Sequence, residues 1–253
     1  PGAGRGRVRR SVSLLPRLVR DRLRRATIAA AILLSITVPL LLRGTSDAAA
    51  GVRDGISASH DSGTAALIPI VALMLALSAA WLADGVVSEV RRDGSAPLVL
   101  TRPISRSGYF LTRWVAGFLC LAAVGLATTL AIDVAARLSG IDEPGLSPVG
   151  AVGAAAISWL WVGSVVLVLS SLLDRGEALA GALLLLLPPY LAATLSPETA
   201  FTRVAVALPS KTVLDVSRTL LAGDPVIGGH LIAVTGWGAG ALALGLLIAA
   251  HRE

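Results

Sequence analysis

Cysteine, lysine and aromatic side chains are almost missing from this sequence. A single cysteine, Cys120, excludes an intrachain disulfide. The one lysine, Lys211, follows Ala-Leu-Pro-Ser and lacks the glycines of a G-x-x-x-x-G-K-S/T loop, so the chain has no phosphate cradle of that kind. There is no H-E-x-x-H, no Cys/His cluster and no acidic pair at metal spacing. Charged residues are only 15% of the 253, aromatic residues 4%, and 55% are apolar, chiefly Ala, Leu, Val and Gly. A soluble globule cannot bury that much hydrocarbon, whereas lipid-facing helices are made of it. These proportions point to an integral membrane protein.

Six stretches approach or exceed the ~20 apolar residues that cross a ~30 Å hydrocarbon core: 26–42, 65–83, 114–132, 149–173, 178–195 and 226–250. They are continuously apolar rather than alternating, which excludes barrel strands. The expected fold is all-α with six transmembrane helices. An arginine-rich start, an apolar run and Ala48-Ala49-Ala50 imitate a secretory signal, but the run of about 17 residues is longer than a usual h-region and reads as a span.

The formal charge of +6 is unevenly spread. Residues 1–25 carry nine arginines against Asp21, a net of +8, and the remainder sums to −2. Beside apolar spans, such an arm reads as a flank facing anionic membrane lipids rather than nucleic acid. Val8, Val12, Leu15, Leu18, Val19 and Leu23 recur at helical spacing with arginines between them, which predicts an interfacial amphipathic helix, kinked at Pro16. With that arm inside, the inner flanks hold 16 basic residues and the outer flanks six, so both termini are expected in the cytoplasm.

The spans themselves hold almost no ionisable group, since Arg113, Asp133 and His230 stand at boundaries. Carriers that harvest an ion gradient need buried acids, bases or unwound ion sites, so none is expected here. Pro69 and Pro188-Pro189 are read as kinks. Ser164, preceded by Gly163, and His230 resemble in outline the dyad of rhomboid-type proteases. The glycines that family requires around its serine are missing, and the two residues fall at different depths, so a helix-packing serine is the preferred reading. Gly236 and Gly240 form a G-x-x-x-G, with Gly245 further on; these are expected to pack within the subunit. Outside the fifth span, Val204, Leu208, Leu214, Val216, Leu220 and Leu221 interleave with Lys211, Asp215 and Arg218. That pattern predicts a short external helix at the membrane surface or a transport gate, with Pro209 as its interruption.

The most informative stretch joins spans two and three. Glu89, Val90, Arg91, Arg92, Asp93 and Gly94 form a short charged helix ending at glycine; an apolar stripe over 98–100 follows, then a Pro103-Ile104-Ser105-Arg106 turn, and Arg113 opens the third span. Glu89, Gly94, Ser95, Leu98, Leu100, Pro103, Ile104, Ser105, Arg106 and Arg113 resemble the corresponding segment in permease subunits of ABC-2-type ATP-driven transporters. Glu89 stands one residue further from Gly94 than in that family, and Ala96-Pro97 shortens the helix.

The resemblance implies a type V exporter-like permease. Its parts would be a basic interfacial segment 1–25 and a six-span domain 26–253, with a coupling segment 85–108 and an external segment 196–225. It implies no cofactor on this chain, because ATP and Mg would be bound by a separate ATP-binding ABC subunit. A second permease subunit, identical or different, and membrane lipids would be the other partners. The implied location is a bacterial cell membrane, with Glu89 to Gly94 docking on the ATPase and Pro103, Ser105 and Arg106 forming the motif turn. Transmission of ATPase motion to an extracytoplasmic partner, or anchoring of an assembly without transport, is the alternative.

Overall fold

The computed structural model describes residues 26–32, 35, 67–84, 86, 105–138, 146–173, 181–184, 186 and 209–252, and every regular element among them is helical. Helix α1 is Leu67–Asp84, α2 is Arg106–Leu138, α3 is Pro148–Leu172, α4 is Pro209–Ala222 and α5 is Gly228–Arg252. Four of them, α1, α2, α3 and α5, are long and apolar enough to cross a membrane, which is the character of an all-α multi-pass membrane protein. They coincide with the second, third, fourth and sixth expected spans. Of the first span, 26–32 and 35 are helical, and of the fifth, 181–184 and 186; the rest of both lies outside the described residues, as does the basic arm.

Small side chains set the packing. Ala72, Ala76, Ala79, Ala80 and Ala83 of α1 are all fully buried. Lipid tails are as apolar as leucine, so helices in a bilayer associate through close contact rather than escape from water, and alanine permits that contact. Two thirds of the apolar window of α1 is enclosed by protein, against 17% for α5. Helix α1 is therefore the centre of the bundle and α5 an outer stave. Pro69 stands in the first described turn of α1, which continues past it.

Contacts fix the directions of the helices. Gly125 of α2 lies against Leu75 of α1 and against Ala151 and Ala155 of α3, while Trp114 meets Trp159; α2 and α3 run antiparallel. Gly238 of α5 lies against Leu160, and Gly245 against Leu167 and Val168, so seven residues along α5 match seven along α3 in the same sense, and these two helices are parallel. The glycines that bring α5 close are therefore Gly238 and Gly245. A Cβ at Gly236 or Gly240 would meet nothing within 4 Å, which corrects the expectation that the G-x-x-x-G pair packs inside the subunit: the pair is on the opposite face of the helix.

Helix α2 is 33 residues long, about 50 Å at 1.5 Å per residue, and overruns a ~30 Å apolar core at both ends. Arg106 and Arg113 mark one end, and at the other Arg137 Nε donates to Asp133 Oδ2 at 3.1 Å.

Helix α4 falls where an external helix is expected. Pro209 is its first described residue, and 204–208 lie outside the described residues. The apolar face of α4 (Val213, Leu214, Val216, Leu221) is buried against protein, not laid on a surface. The end of α4 is locked to the start of α3. Gly223 takes the left-handed conformation (φ 80°), with Asp224 N–H donating to Thr219 C=O and Gly223 N–H to Leu220 C=O, each at 3.0 Å, a Schellman cap. The Leu221 carbonyl then accepts Ser147 N–H at 2.8 Å. Ser147 in turn caps α3 by accepting Gly150 N–H on its Oγ at 3.0 Å, with Pro148 beside it in the first turn.

Candidate functional site

Two places gather side chains that do more than fill space. The first is the end of the bundle from which residues 85–105 depart and return. Ser105 starts α2 as its N-cap, accepting Gly108 N–H on Oγ at 3.2 Å, while its carbonyl takes Tyr109 N–H at 3.0 Å; such caps contribute about 1 kcal/mol. A Cβ at Gly108 would fall 2.7 Å from that Oγ, so the glycine makes room for the cap. Arg106 is exposed on the first turn. Tyr109 and Phe110, edge to face at 5.6 Å, are buried with Val86, Leu167 and Ala249. The chain just past α1, the first turns of α2 and the adjoining parts of α3 and α5 are thereby tied together at this end of the bundle.

Arg113 belongs to this end. The sequence places it at the opening of a span; the structure places it two turns inside α2 and nine-tenths buried. A guanidinium out of water needs partners. Arg113 Nη1 donates to Tyr109 Oη at 3.1 Å, and the guanidinium carbon stands 5.8 Å from the tyrosine ring centre, within cation–π range. Asp84, at the end of α1, is also buried.

Of the expected site residues, Ser105 and Arg106 are thus a helix cap and the first helical residue. Glu89, Val90, Arg91, Arg92, Asp93, Gly94 and Pro103 lie outside the described residues. So do Pro188-Pro189.

The second place is the middle of α3, where Trp159–Gly163 form a π turn. Such turns hold one residue more than the α-helix allows and recur at functional sites. Trp159 is fully buried, and its indole covers Gly163, where a Cβ would meet the ring at 3.1–3.4 Å. Trp114 packs on it at 5.7 Å between ring centres, and Trp161 meets Trp237 at 6.3 Å. Trp114 Nε1, Trp159 Nε1, Ser164 Oγ and Thr128 Oγ1 are buried without a hydrogen-bond partner among the described residues. Sequence reasoning missed this turn, because a Trp-Leu-Trp-Val-Gly run has the same apolar pattern in either helical form.

The geometry disposes of the serine–histidine dyad. With Leu160 opposite Gly238 in parallel helices, Ser164 is level with residue 242, so His230 is about 18 Å away along α5 at 1.5 Å per residue. Ser164 is wholly buried and His230 exposed. No group of three or more His, Cys, Asp or Glu that could hold a metal occurs among the described residues. No family model and no curated protein matches the chain.

Proposed function

We propose that this chain is the transmembrane permease subunit of an ATP-driven ABC-2-type transporter, an exporter with six spans and both termini in the cytoplasm of a bacterial cell. A separate ATP-binding subunit binds ATP and Mg, and its closure is passed through residues 85–108 to a path between two such permeases. The observation that carries this reading is the sequence from Glu89 to Arg113, whose charged run, apolar stripe and Pro-Ile-Ser-Arg motif have the order and place of that family's coupling segment.

The bundle end supports it: Val86 on one side of the segment is buried with Tyr109 and Phe110 on the other, a fixed base through which force on the segment would reach α1, α2, α3 and α5. The parallel course of α3 and α5 supports the fifth span, since the chain must return across the bilayer between them. Gly181 lies against Leu169, near the inner end of α3, where that return would begin.

A second reading is favoured by α4. It is tied by backbone hydrogen bonds to α3 and carries Asp215 between Lys211 and Arg218, which suits a lever acting on an extracytoplasmic partner as well as a transport gate. Purification of the full chain from its native membrane in mild detergent tests both readings. An ATP-binding protein should co-purify, and its ATPase should be stimulated by substrate for an exporter or by an extracytoplasmic protein for a transmitter. Absence of any ATP-binding protein would overturn both.

A further inference from the structure

The π turn separates two differently attached halves of α3. The outer half, 148–158, is joined to α4 through the Ser147–Leu221 hydrogen bond, through Ser158 Oγ and Ser217 Oγ at 3.4 Å, and through Gly150 and Gly153, both against Leu220. The inner half, 164–172, is joined to α5 through Leu167 and Val168 on Gly245 and, with Ala249, to the Tyr109–Phe110 cluster.

Ser164 stands just past the π turn. Four buried or partly buried hydroxyls elsewhere in these helices return to the carbonyl four residues back: Thr112 to Gly108, Thr129 to Gly125, Ser171 to Leu167 and Thr219 to Asp215, at 2.7–3.0 Å; Ser170 bonds to Leu167, three residues back, at 3.2 Å. Among the described residues Ser164 Oγ has no partner, and neither has Thr128 Oγ1 in α2. The carbonyl Ser164 would use in an α-helix belongs to Leu160, which the π turn has carried against α5, where a Cβ on Gly238 would lie 2.8 Å from that oxygen. In the sequence after the turn, Ser164-Val165-Val166-Leu167-Val168-Leu169-Ser170-Ser171, a slip of one residue keeps valine at 165/166 and serine at 170/171, exchanges valine with leucine in three pairs, and exchanges serine with an apolar residue in the other two. If the extra residue passed along to the inner end, Val166 would take the place of Leu167 opposite Gly245 and Ser170 the place of Ser171.

We propose that α3 has two registers and that the π turn is one of them. In the other, residues 159–164 are α-helical, Ser164 donates to Leu160 C=O, and the extra residue lies at the inner end, where the helix already stops at Leu172. The change turns the inner half by one residue, about 100°, against an outer half held by α4. It links the external helix to the end of the bundle that holds Tyr109, Phe110 and Arg113, and it does not depend on what the protein moves.

The test uses the full chain with Cys120→Ala, spin-labelled through Val149→Cys and Leu172→Cys, two exposed positions on either side of the turn. Distances are measured by electron–electron resonance in phospholipid nanodiscs, with amide exchange over 160–168 read in parallel. Two distance populations are expected. Gly238→Ala crowds the Leu160 carbonyl and should enrich the α register and slow exchange over 160–168. Ser164→Ala removes the bond that only the α register makes and should deplete it about threefold or more, the factor that a hydrogen bond of ordinary net strength gives. One unchanged distribution in the parent and in Ser164→Ala overturns the proposal, as does a shift of both variants in the same direction. If Gly238→Ala does not fold, the parent and Ser164→Ala decide.

Discussion

Gly150 in α3 lies so close to Leu220 in α4 that a Cβ built on it would fall 1.7 Å from the Leu220 carbonyl oxygen and 2.6 Å from the carbonyl carbon. Backbone meets backbone there, with no side-chain end to swing aside. Gly150→Ala must therefore push α4 off α3 and should cost about 3 kcal/mol, the upper end of ordinary overpacking. Gly236→Ala and Gly240→Ala, where a Cβ meets nothing, should be neutral or stabilising by up to about 1 kcal/mol, because alanine is the better helix former. Thermal unfolding in detergent, followed by circular dichroism, should rank the three variants in that order; equal effects would mean that the α3–α4 joint is loose.

Tyr109 and Arg113 should behave as a unit. Tyr109→Phe keeps the ring and removes the hydroxyl that accepts from Arg113, a loss of about 1.5–3 kcal/mol for a bond to a charged group. In the Arg113→Met background the same change should cost little, since the donor is gone. Additive losses across this cycle, measured by thermal unfolding, would show that the bond contributes nothing.

The sidedness of the membrane is checked by thiol labelling at chosen positions. Ser210 is buried, and Ser147 is a half-buried cap, so cysteines there would report burial instead of side. Cysteines replacing Ser59 and Asp224, the latter exposed, should react with an impermeant reagent from outside; one replacing Ser95 should react only after permeabilisation. Labelling at Ser95→Cys in intact cells would rule out six spans with both ends inside.

Charge reversal tests the coupling segment. Arg91→Glu combined with Arg92→Glu should weaken association with the ATP-binding subunit by about thirtyfold or more, which corresponds to losing one buried charge contact of ~2–5 kcal/mol. Pull-down and ATPase assays on the same membranes give the readout. Unchanged association and unchanged activity, with normal thiol labelling, would place the docking surface elsewhere.

The sequence by itself determined the class of molecule and the place of most helices. Twenty apolar residues in a row have one stable conformation in a bilayer, because a lipid-exposed backbone must bond within its own helix; that is why Leu67–Asp84, Pro148–Leu172 and Gly228–Arg252 could be bounded to within about two residues, the usual error of helix ends. The sequence placed Ser105 only in a turn before the third span; that its hydroxyl caps α2 came from the structure. What only the tertiary structure decided depends on neighbours. Which glycines of α5 face protein, Gly238 and Gly245 or Gly236 and Gly240, follows from where α3 lies. The depth of Arg113 follows from helices that close over it, and the π turn at Trp159–Gly163 from an indole that fits over Gly163 and a carbonyl that fits against Gly238. Apolar pattern is blind to all three, since in lipid every face of a helix is equally apolar and contact shape alone selects the one that packs.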